Sequence, residues 1–336
     1  MKVAILSSIA WRTPPRMYGP WEQVASLLTE SLVAKGVNVT LFATADSVTN
    51  ATLDAKVQSP YAEDSSIDPK VAECLHISNL MEKADQFDLI HNHFDFLPLT
   101  YSRLIKTPLL TTVHGFSSTR ILDVYRKYNT HTSYVSISDA DRAPDLNYIA
   151  TVYNGIDGQE FTFVPDPDKY LLFFGRIHPD KGTSEAIQIA KKAGMKLKMA
   201  GLIQDKAYFR QEVEPYIDGQ DVYYYGNVGP LERNQLLGGA SALLHPIRFE
   251  EPFGLSVVEA MFCGTPVIAF KRGSMPELII DQKTGFLVDT VDEAAQAVSQ
   301  LSRIERAACR RRAESRFSKD HMVEGYLAVY EQLLSR

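Results

Sequence analysis

The sequence predicts an α/β protein made of two doubly wound domains, each a parallel sheet covered on both faces, with a cleft between them. Two observations predict the class and a third predicts the number. Short β-branched and apolar runs alternate with longer helical patterns, which is how strands buried on both faces and joined by helical crossovers read in sequence. The alternation breaks off near the middle and starts again. At 336 residues the chain is also longer than one hydrophobic core usually serves.

In the first half, strands are expected at 3–8 (VAILSS), 38–44 (NVTLFAT), 88–93 (DLIHNH), 108–114 (PLLTTVH), 134–138 (YVSIS) and 148–154 (YIATVYN). The clearest helix between them spans 21–36, WEQVASLLTESLVAKG, with leucine and valine at helical spacing and a glycine stop. In the second half, strands are expected at 171–175, 196–201, 222–226, 241–246, 266–270 and 285–288, flanked by helical segments such as TSEAIQIAKKAG and EAAQAVSQLSRIERAA. Between the halves, NGIDGQEFTFVPDPDK is rich in Gly, Pro and Asp and lacks helical period, so a hinge is expected near 155–169. Ligands of such sheets bind outside the carboxyl ends of the strands.

Composition excludes several classes. Hydrophobic residues at 45%, charged at 23% and aromatic at 10% argue against disorder. The net charge of -6, from 41 acidic and 35 basic residues, gives no global field toward nucleic acid or an anionic membrane, so any anion must be held locally. Cys74, Cys263 and Cys309 form no CxxC pair, which leaves no disulfide framework or zinc signature and fits a reducing cytosol. The amino terminus has an apolar run of only about five residues, short of a signal peptide. No window approaches the roughly 18 apolar residues that cross a bilayer. The basic run 303–319 is interleaved with acids and reads as a solvated helical face, so at most a peripheral membrane contact is expected.

The densest chemistry lies in FEEPFGLSVVEAMFCGTPVIA, 249–269. A proline turn at Glu251-Pro252-Phe253-Gly254 leads into an apolar helix expected to begin near Leu255 and stop at Gly264. A helix start preceded by glycine presents unpaired backbone N–H groups and the positive end of the dipole, enough to hold a phosphate. Acids beside such a site make sense if they bind hydroxyls: carboxylates accept from sugar hydroxyls while amides take a diphosphate. The plainer reading is that Glu250 and Glu251 cap the helix and Glu259 pairs with a lysine elsewhere. FFGRIHPDKG, 173–182, places Arg176 just after a strand and Lys181 just before a helix, where both could neutralise phosphates at one sheet edge. The alternative there is an ordinary loop with exposed charge.

In combination, E-P-F-G-L-x-x-x-E (251–259), A-M-x-x-G-T-P-V-I-A (260–269) and G-R-x-x-x-x-K-G (175–182) resemble the large retaining family of nucleotide-sugar glycosyltransferases, family 4 or glycosyltransferase group 1. The resemblance extends to VYNGID (152–157), VSISDADR (135–142) and TVHGFSS (112–118), and so covers most of the chain. It implies the GT-B fold, two Rossmann-like domains facing an interdomain cleft. Residues 1–158 would form the acceptor-side domain, with a helix at about 319–336 packing back on it, and 159–318 the donor domain.

The resemblance also implies roles. Glu251 would meet donor-sugar hydroxyls near the reacting carbon, and Glu259 the nucleotide ribose. Arg176 and Lys181 would hold the diphosphate with backbone N–H groups of Phe253, Gly254 and Leu255. Gly201 and the turn Tyr225-Gly226-Asn227-Val228 match positions around the base. His114, followed by Gly115 and the run Ser117, Ser118 and Thr119, corresponds to the family histidine that reaches across the cleft to the donor sugar, for orientation rather than proton abstraction. One departure concerns the loop after the first strand, where family members commonly carry two glycines. Here the stretch is Tyr18-Gly19-Pro20-Trp21-Glu22, so only Gly19 remains on the donor side and Trp21 reshapes the acceptor side.

His91, His93 and Asp95 in LIHNHFDF are open to a metal reading, since both histidines would share one face of a strand, and Asp166-Pro167-Asp168 is a D-x-D. The resemblance implies instead that Arg, Lys and a helix terminus neutralise the diphosphate, with no metal or other cofactor, and that His93 and Asp95 line the acceptor side. The implied reaction transfers a hexosyl group, glucosyl or mannosyl before others, from a UDP- or GDP-sugar to a small-molecule, glycan or lipid-linked hydroxyl acceptor in the cytoplasm. A phosphorylase or sugar-nucleotide epimerase, or a non-catalytic carbohydrate-binding protein, is the alternative.

Overall fold

The computed structural model describes residues 1–116 and 118–335; Ser117, expected in the loop after His114, lies outside them. The chain forms two compact units. One comprises residues 1–155 together with the stretch from Lys319 onward, and the other is Ile156–Ser318.

The first unit runs β1 (Lys2–Leu6), α1 (Pro20–Ala34), β2 (Asn38–Phe42), β3 (Thr52–Asp54), α2 (Pro69–Met81), β4 (Leu89–Asn92), β5 (Leu109–Val113), α3 (Leu122–Tyr128), β6 (Ser133–Ser136) and β7 (Tyr148–Thr151). Among the described residues these strands form one parallel sheet of order β3-β2-β1-β4-β5-β6-β7. Val3, Ala4, Ile5 and Leu6 are all fully buried, as a central parallel strand covered on both faces requires. Ile5 pairs with Leu41 on one side and His91 on the other. The strand order reverses between β1 and β4, which opens a crevice at their carboxyl ends.

The second unit runs β8 (Tyr170–Phe174), α4 (Thr183–Ala193), β9 (Lys196–Ala200), α5 (Lys206–Tyr208), β10 (Val222–Tyr224), α6 (Pro230–Gly239), β11 (Ala242–His245), α7 (Leu255–Phe262), β12 (Val267–Phe270), α8 (Met275–Leu278), β13 (Gly285–Val288), α9 (Val291–Val298) and α10 (Arg306–Phe317). Its parallel sheet has the order β10-β9-β8-β11-β12-β13, so the corresponding reversal lies between β8 and β11. The last helix, α11 (Lys319–Leu334), belongs to the first unit. Its buried residues Met322, Val323, Tyr326, Val329 and Tyr330 recur at helical spacing, and it packs against α1.

Three local expectations differ from the structure. Strand β3 goes unforeseen because it has three residues and none is fully buried, so no apolar run announces it. The segment EAAQAVSQLSRIERAA is not one helix: α9 stops at Val298, a single turn covers Leu301–Arg303, and α10 restarts at Arg306 after the buried Ile304. Nor is the expected hinge segment, 155–169, a free loop. Phe161 is buried, and this segment's carbonyls are held by two arginines of α10.

Those arginines also revise the reading of 303–319 as a solvated face. Arg306 donates from Nε to the carbonyl of Val164 at 2.6 Å, from Nη1 to that of Ala240 at 2.9 Å, and from Nη2 to Gly238 O at 2.7 Å and Thr265 Oγ1 at 2.9 Å. Arg310 donates from Nη1 to the carbonyls of Phe161 and Phe262 at 2.8 and 2.7 Å. A guanidinium carries five donors in a rigid fork, so one side chain satisfies loop carbonyls from separate elements at once.

The first unit also buries four imidazoles, His76, His91, His93 and His114. His76 Nε2 bonds to the carbonyl of Ser7 at 2.9 Å. Burial pulls His76 down to about 4 and His114 to about 3, and burial together with neighbouring imidazoles pulls His91 and His93 well below the ordinary value. All four are neutral at pH 7.

Two outcomes are expected. Arg306→Met keeps the aliphatic stem but strands the carbonyls it served, and should lower stability by about 2–4 kcal/mol in urea unfolding followed by circular dichroism; an unchanged midpoint would refute the bracing role. The histidines have folded values below their unfolded values, so the unfolded chain takes up more protons as pH falls below about 6.5. Stability present above that pH should therefore drain away on acidification, by about 2 kcal/mol for each histidine still neutral in the fold at pH 5. Equal urea midpoints at pH 7 and pH 5 would contradict it.

Candidate functional site

In the second unit, the loops after β8, β9 and β11 meet around the point where the strand order reverses. After β8, Gly175 and Arg176 lead into a single turn, Pro179–Lys181, closed by Gly182 at φ 72°. A Cβ on Gly182 would collide with the carbonyl of Pro246, and one on Gly201, at φ 145°, with the carbonyl of Gly175. Only glycine permits backbones this close at these angles. The N–H of Arg248 also donates to Asp180 O at 2.7 Å, tying the β11 loop to the β8 loop.

This lacing brings Lys181 onto Glu251. Nζ lies 2.5 Å from Oε2 of Glu251 and 4.6 Å from the centre of the Phe249 ring. Nε2 of His245, the last residue of β11, lies 3.5 Å from the same carboxylate oxygen. Burial alone would raise the Glu251 pKa. The Lys181 charge, with the nearby His245 assisting, overcomes it and holds the acid down to about 2, so Glu251 is a buried anion. Burial pulls His245 below its usual value, against the pull of Glu251. Arg176 reaches Asp180 at 3.3 Å and also bonds Gln204. Both cations and Glu251 thus stand at one edge of the sheet.

The helix start beside them is bare. Gly254, at φ 93°, precedes α7, and no side chain caps it. Glu250 instead accepts the N–H of Gly273 at 2.5 Å, and the Glu251 carbonyl accepts the N–H of Ser274 at 2.9 Å, so neither acid is a cap. The first turn of α7, from Leu255, holds no acidic residue and keeps N–H groups without intrahelical acceptors. Phe253 is buried, packs on Phe317 at 6.0 Å, and has its carbonyl held by Ser274 Oγ at 2.6 Å.

Glu259 is buried one turn into α7, and its partner is an arginine rather than the lysine of the plainer reading: Arg233 Nη1 lies 3.1 Å from Oε1. Burial raises the Glu259 pKa, with Arg233 opposing and Glu160 assisting. The turn Tyr225-Gly226-Asn227-Val228 follows β10. Tyr225 N–H donates to Met199 O at 2.9 Å, and the Gly226 carbonyl accepts from Gly201 N at 2.8 Å. Val228 is buried, while the Tyr225 ring is exposed.

Two residues beside Lys181 and Glu251 escape reasoning from spacing. Asp180 and His245 carry no motif of their own, although a histidine closing the apolar run SALLHP was a signal available in the sequence. Asp166 and Asp168 precede β8 and therefore sit at the amino edge of the sheet, the edge opposite the Arg176 loop.

In the first unit, His93 follows β4 and His114 follows β5. His93 Nδ1 and His114 Nε2 are 2.9 Å apart, and Trp21, in the first turn of α1, stacks on His114 with ring centres 5.7 Å apart and planes 23° off parallel. Gly19 precedes α1 at φ 152°, crowded by the side chains of Pro15 and Trp11. Asp95 stands at φ 100° and accepts from Tyr125 Oη at 2.6 Å; burial pushes its carboxyl up to about 6. His93, expected on the acceptor side, is fully buried. His91 bonds Tyr330 Oη at 2.7 Å through Nδ1 and Thr112 Oγ1 at 2.8 Å through Nε2. Among the described residues, no group of three or more His, Cys, Asp or Glu is arranged to hold a metal, and no helix is long and apolar enough to cross a membrane.

Residues 159–316 match the family model of glycosyl transferases group 1. The D-inositol 3-phosphate glycosyltransferase of Mycolicibacterium smegmatis is 32% identical over 226 residues, a match spanning 60% of this chain and 50% of that protein. Sucrose-phosphate synthase from Thermosynechococcus elongatus shares the fold with a TM-score of 0.82 at 18% identity, over 100% of this chain and 99% of the other. HepE from Anabaena, solved in complex with UDP and glucose, gives 0.76 at 19% identity over 98% and 99%. Those solved structures share two parallel-sheet units with this protein, and the motifs around Lys181, Glu251 and Gly254 fall inside the matched segment. Residues 159–316, the bulk of the second unit, thus form a glycosyl transferases group 1 domain, and the chain as a whole has the GT-B fold.

Proposed function

We propose that the enzyme transfers a hexosyl group from a nucleoside diphosphate sugar to a hydroxyl acceptor, with retention of anomeric configuration and without a metal ion. The observation that carries this reading is the grouping of Arg176, Lys181 and the uncapped start of α7 around an ionised Glu251. Two cations and a helix terminus suit a diphosphate, while a carboxylate kept charged in a buried site suits the hydroxyls of a sugar.

In this mechanism the glycosidic C–O bond to the diphosphate breaks as charge builds on the departing phosphate. Arg176, Lys181 and the N–H groups at the start of α7 stabilise that charge, where preorganised electrostatics acts most strongly on the barrier. The acceptor hydroxyl attacks from the face the diphosphate leaves and passes its proton to a phosphate oxygen. No protein nucleophile takes part. Lys181 is shared: paired with Glu251 before the donor binds, it turns part of its charge to the diphosphate on binding. His114 orients the donor sugar by a hydrogen bond, Glu259 meets the ribose, and Gly201 with the 225–228 turn borders the base.

The acceptor is a small molecule, a glycan or a lipid-linked sugar, handled in the cytoplasm. HepE holds UDP and glucose, which places UDP-glucose first among donors to try.

Lys181→Ala should lower turnover of the working donor on the order of 10²-fold, read as acceptor-dependent release of nucleoside diphosphate; turnover near that of the parent enzyme would sink the assignment. UDP, GDP and ADP should differ in thermal-shift assays. The cognate nucleotide at about 100 times its Kd should add about 2.7 kcal/mol of stability, and Arg176→Ala should shrink that gain. No shift with any of the three would count against a diphosphate site.

A further inference from the structure

We propose that His93 is a positioning residue for His114: its Nδ1–H donates to Nε2 of His114 and so fixes the tautomer in which His114 offers an Nδ1–H outward. The inference rests on the reading in which His114 meets the donor sugar, and it adds the device that prepares that histidine.

The geometry leaves His93 two choices. A neutral imidazole carries one proton, on Nδ1 or on Nε2. His93 Nδ1 lies 2.9 Å from His114 Nε2, whereas His93 Nε2 is buried with no hydrogen-bond partner among the described residues. A proton on Nε2 would be a buried donor without an acceptor. A proton on Nδ1 makes the bond to His114 and leaves only a lone pair unmatched, the cheaper arrangement, since orphaned buried N–H groups are rarer than under-satisfied acceptors. His114 then accepts at Nε2, and its own proton must sit on Nδ1, for which no partner exists among the described residues.

The rings cannot easily trade roles, because each is held. His93 packs on His91 with ring centres 4.1 Å apart, and His91 is fixed through both nitrogens by Tyr330 and Thr112. Thr112 also bonds Tyr326 Oη at 2.8 Å, so helix α11 anchors the base of the stack. On the other side Trp21 lies flat against His114. Burial keeps the imidazoles uncharged, so His114 presents a neutral N–H, a donor suited to a sugar oxygen and unsuited to pulling a proton from one.

Histidine-15N NMR on the full chain, without any ligand, tests the tautomer directly, with His114 resonances assigned by their loss in His114→Asn. The expected result is Nδ1–H at His114 in the parent protein and in His93→Asn, whose amide nitrogen replaces Nδ1 of the ring, and loss of that preference in His93→Leu. Finding the His114 proton on Nε2 in the parent protein, or one tautomer in all variants, would overturn the proposal. Beyond the His114→Asn assignment this arm needs no His93 variant to fold, because the parent spectrum decides the direction of the bond. With UDP-glucose turnover as probe, His93→Leu should lower kcat about 10- to 100-fold with little change in KM, and His93→Asn should recover most of it. Equal kcat for the two variants would also count against the proposal. Undiminished kcat in His114→Ala would sink the role of His114 itself while leaving the tautomer result standing, so the two failures are distinguishable.

Discussion

The contact between Lys181 and Glu251 is the constraint around which the second unit is arranged. A buried carboxylate left alone would take up a proton or unfold its surroundings. Here Lys181 and His245 keep it ionised, and they can do so only because the loops after β8 and β11 approach backbone to backbone at Gly182 and Pro246. The glycine is thus part of the electrostatics. Without it the two loops would separate, and the lysine would have to span a gap that its flexible stem fills poorly. The bare start of α7 follows from the same arrangement, because both neighbouring acids are engaged elsewhere, Glu250 with the Gly273 amide and Glu251 with Lys181.

The first unit solves a similar problem with neutral groups. It has the same reversal of strand order, but the side chains behind the crevice are imidazoles, tyrosines and threonines bonded to one another rather than ion pairs. Uncharged polar groups cost less to bury than charged ones, and each of these side chains makes at least one bond to another, although His93 Nε2 has no partner among the described residues. Helix α11 completes the network with Tyr326 and Tyr330, which explains physically why the chain returns to its first unit at Lys319: His91 and Thr112 would otherwise be buried polar groups lacking those partners.

How far the sequence reaches depends on what each feature leaves in the one-dimensional pattern. Apart from β3, the strands of both sheets are legible because they are continuous apolar runs, and β13 is found to the residue at 285–288. Helix α7 is legible at both ends because glycines at 254 and 264 punctuate it. The break between α9 and α10 is not, since neither Gly nor Pro marks it and it shows only in the folded chain, where the buried Ile304 separates the two helices. The arginines of α10 mislead for the same reason. Their spacing among acids reads as surface, and only the folded chain shows loop carbonyls converging on Arg306 and Arg310. At the site, residues carried by motifs could be named beforehand, while Asp180 and His245, which act by contact with those residues, left little trace.

Pro20, directly after Gly19, has a physical consequence for the first unit that its sequence already contains. Proline at the first position of α1 removes one of the N–H groups that a helix start would offer an anion. Glu22, buried in the first turn, places a carboxyl where the helix dipole is most positive and accepts the Trp11 amide at 3.2 Å. The start of α1 is therefore poorly suited to phosphate, in contrast to the start of α7, which has no acid in its first turn. Trp21, beside Pro20, adds an aromatic face stacked on His114, and aromatic faces suit the apolar side of a sugar ring better than a charged group. Cations and bare amides therefore stand in one unit, and an aromatic ring with neutral imidazoles in the other.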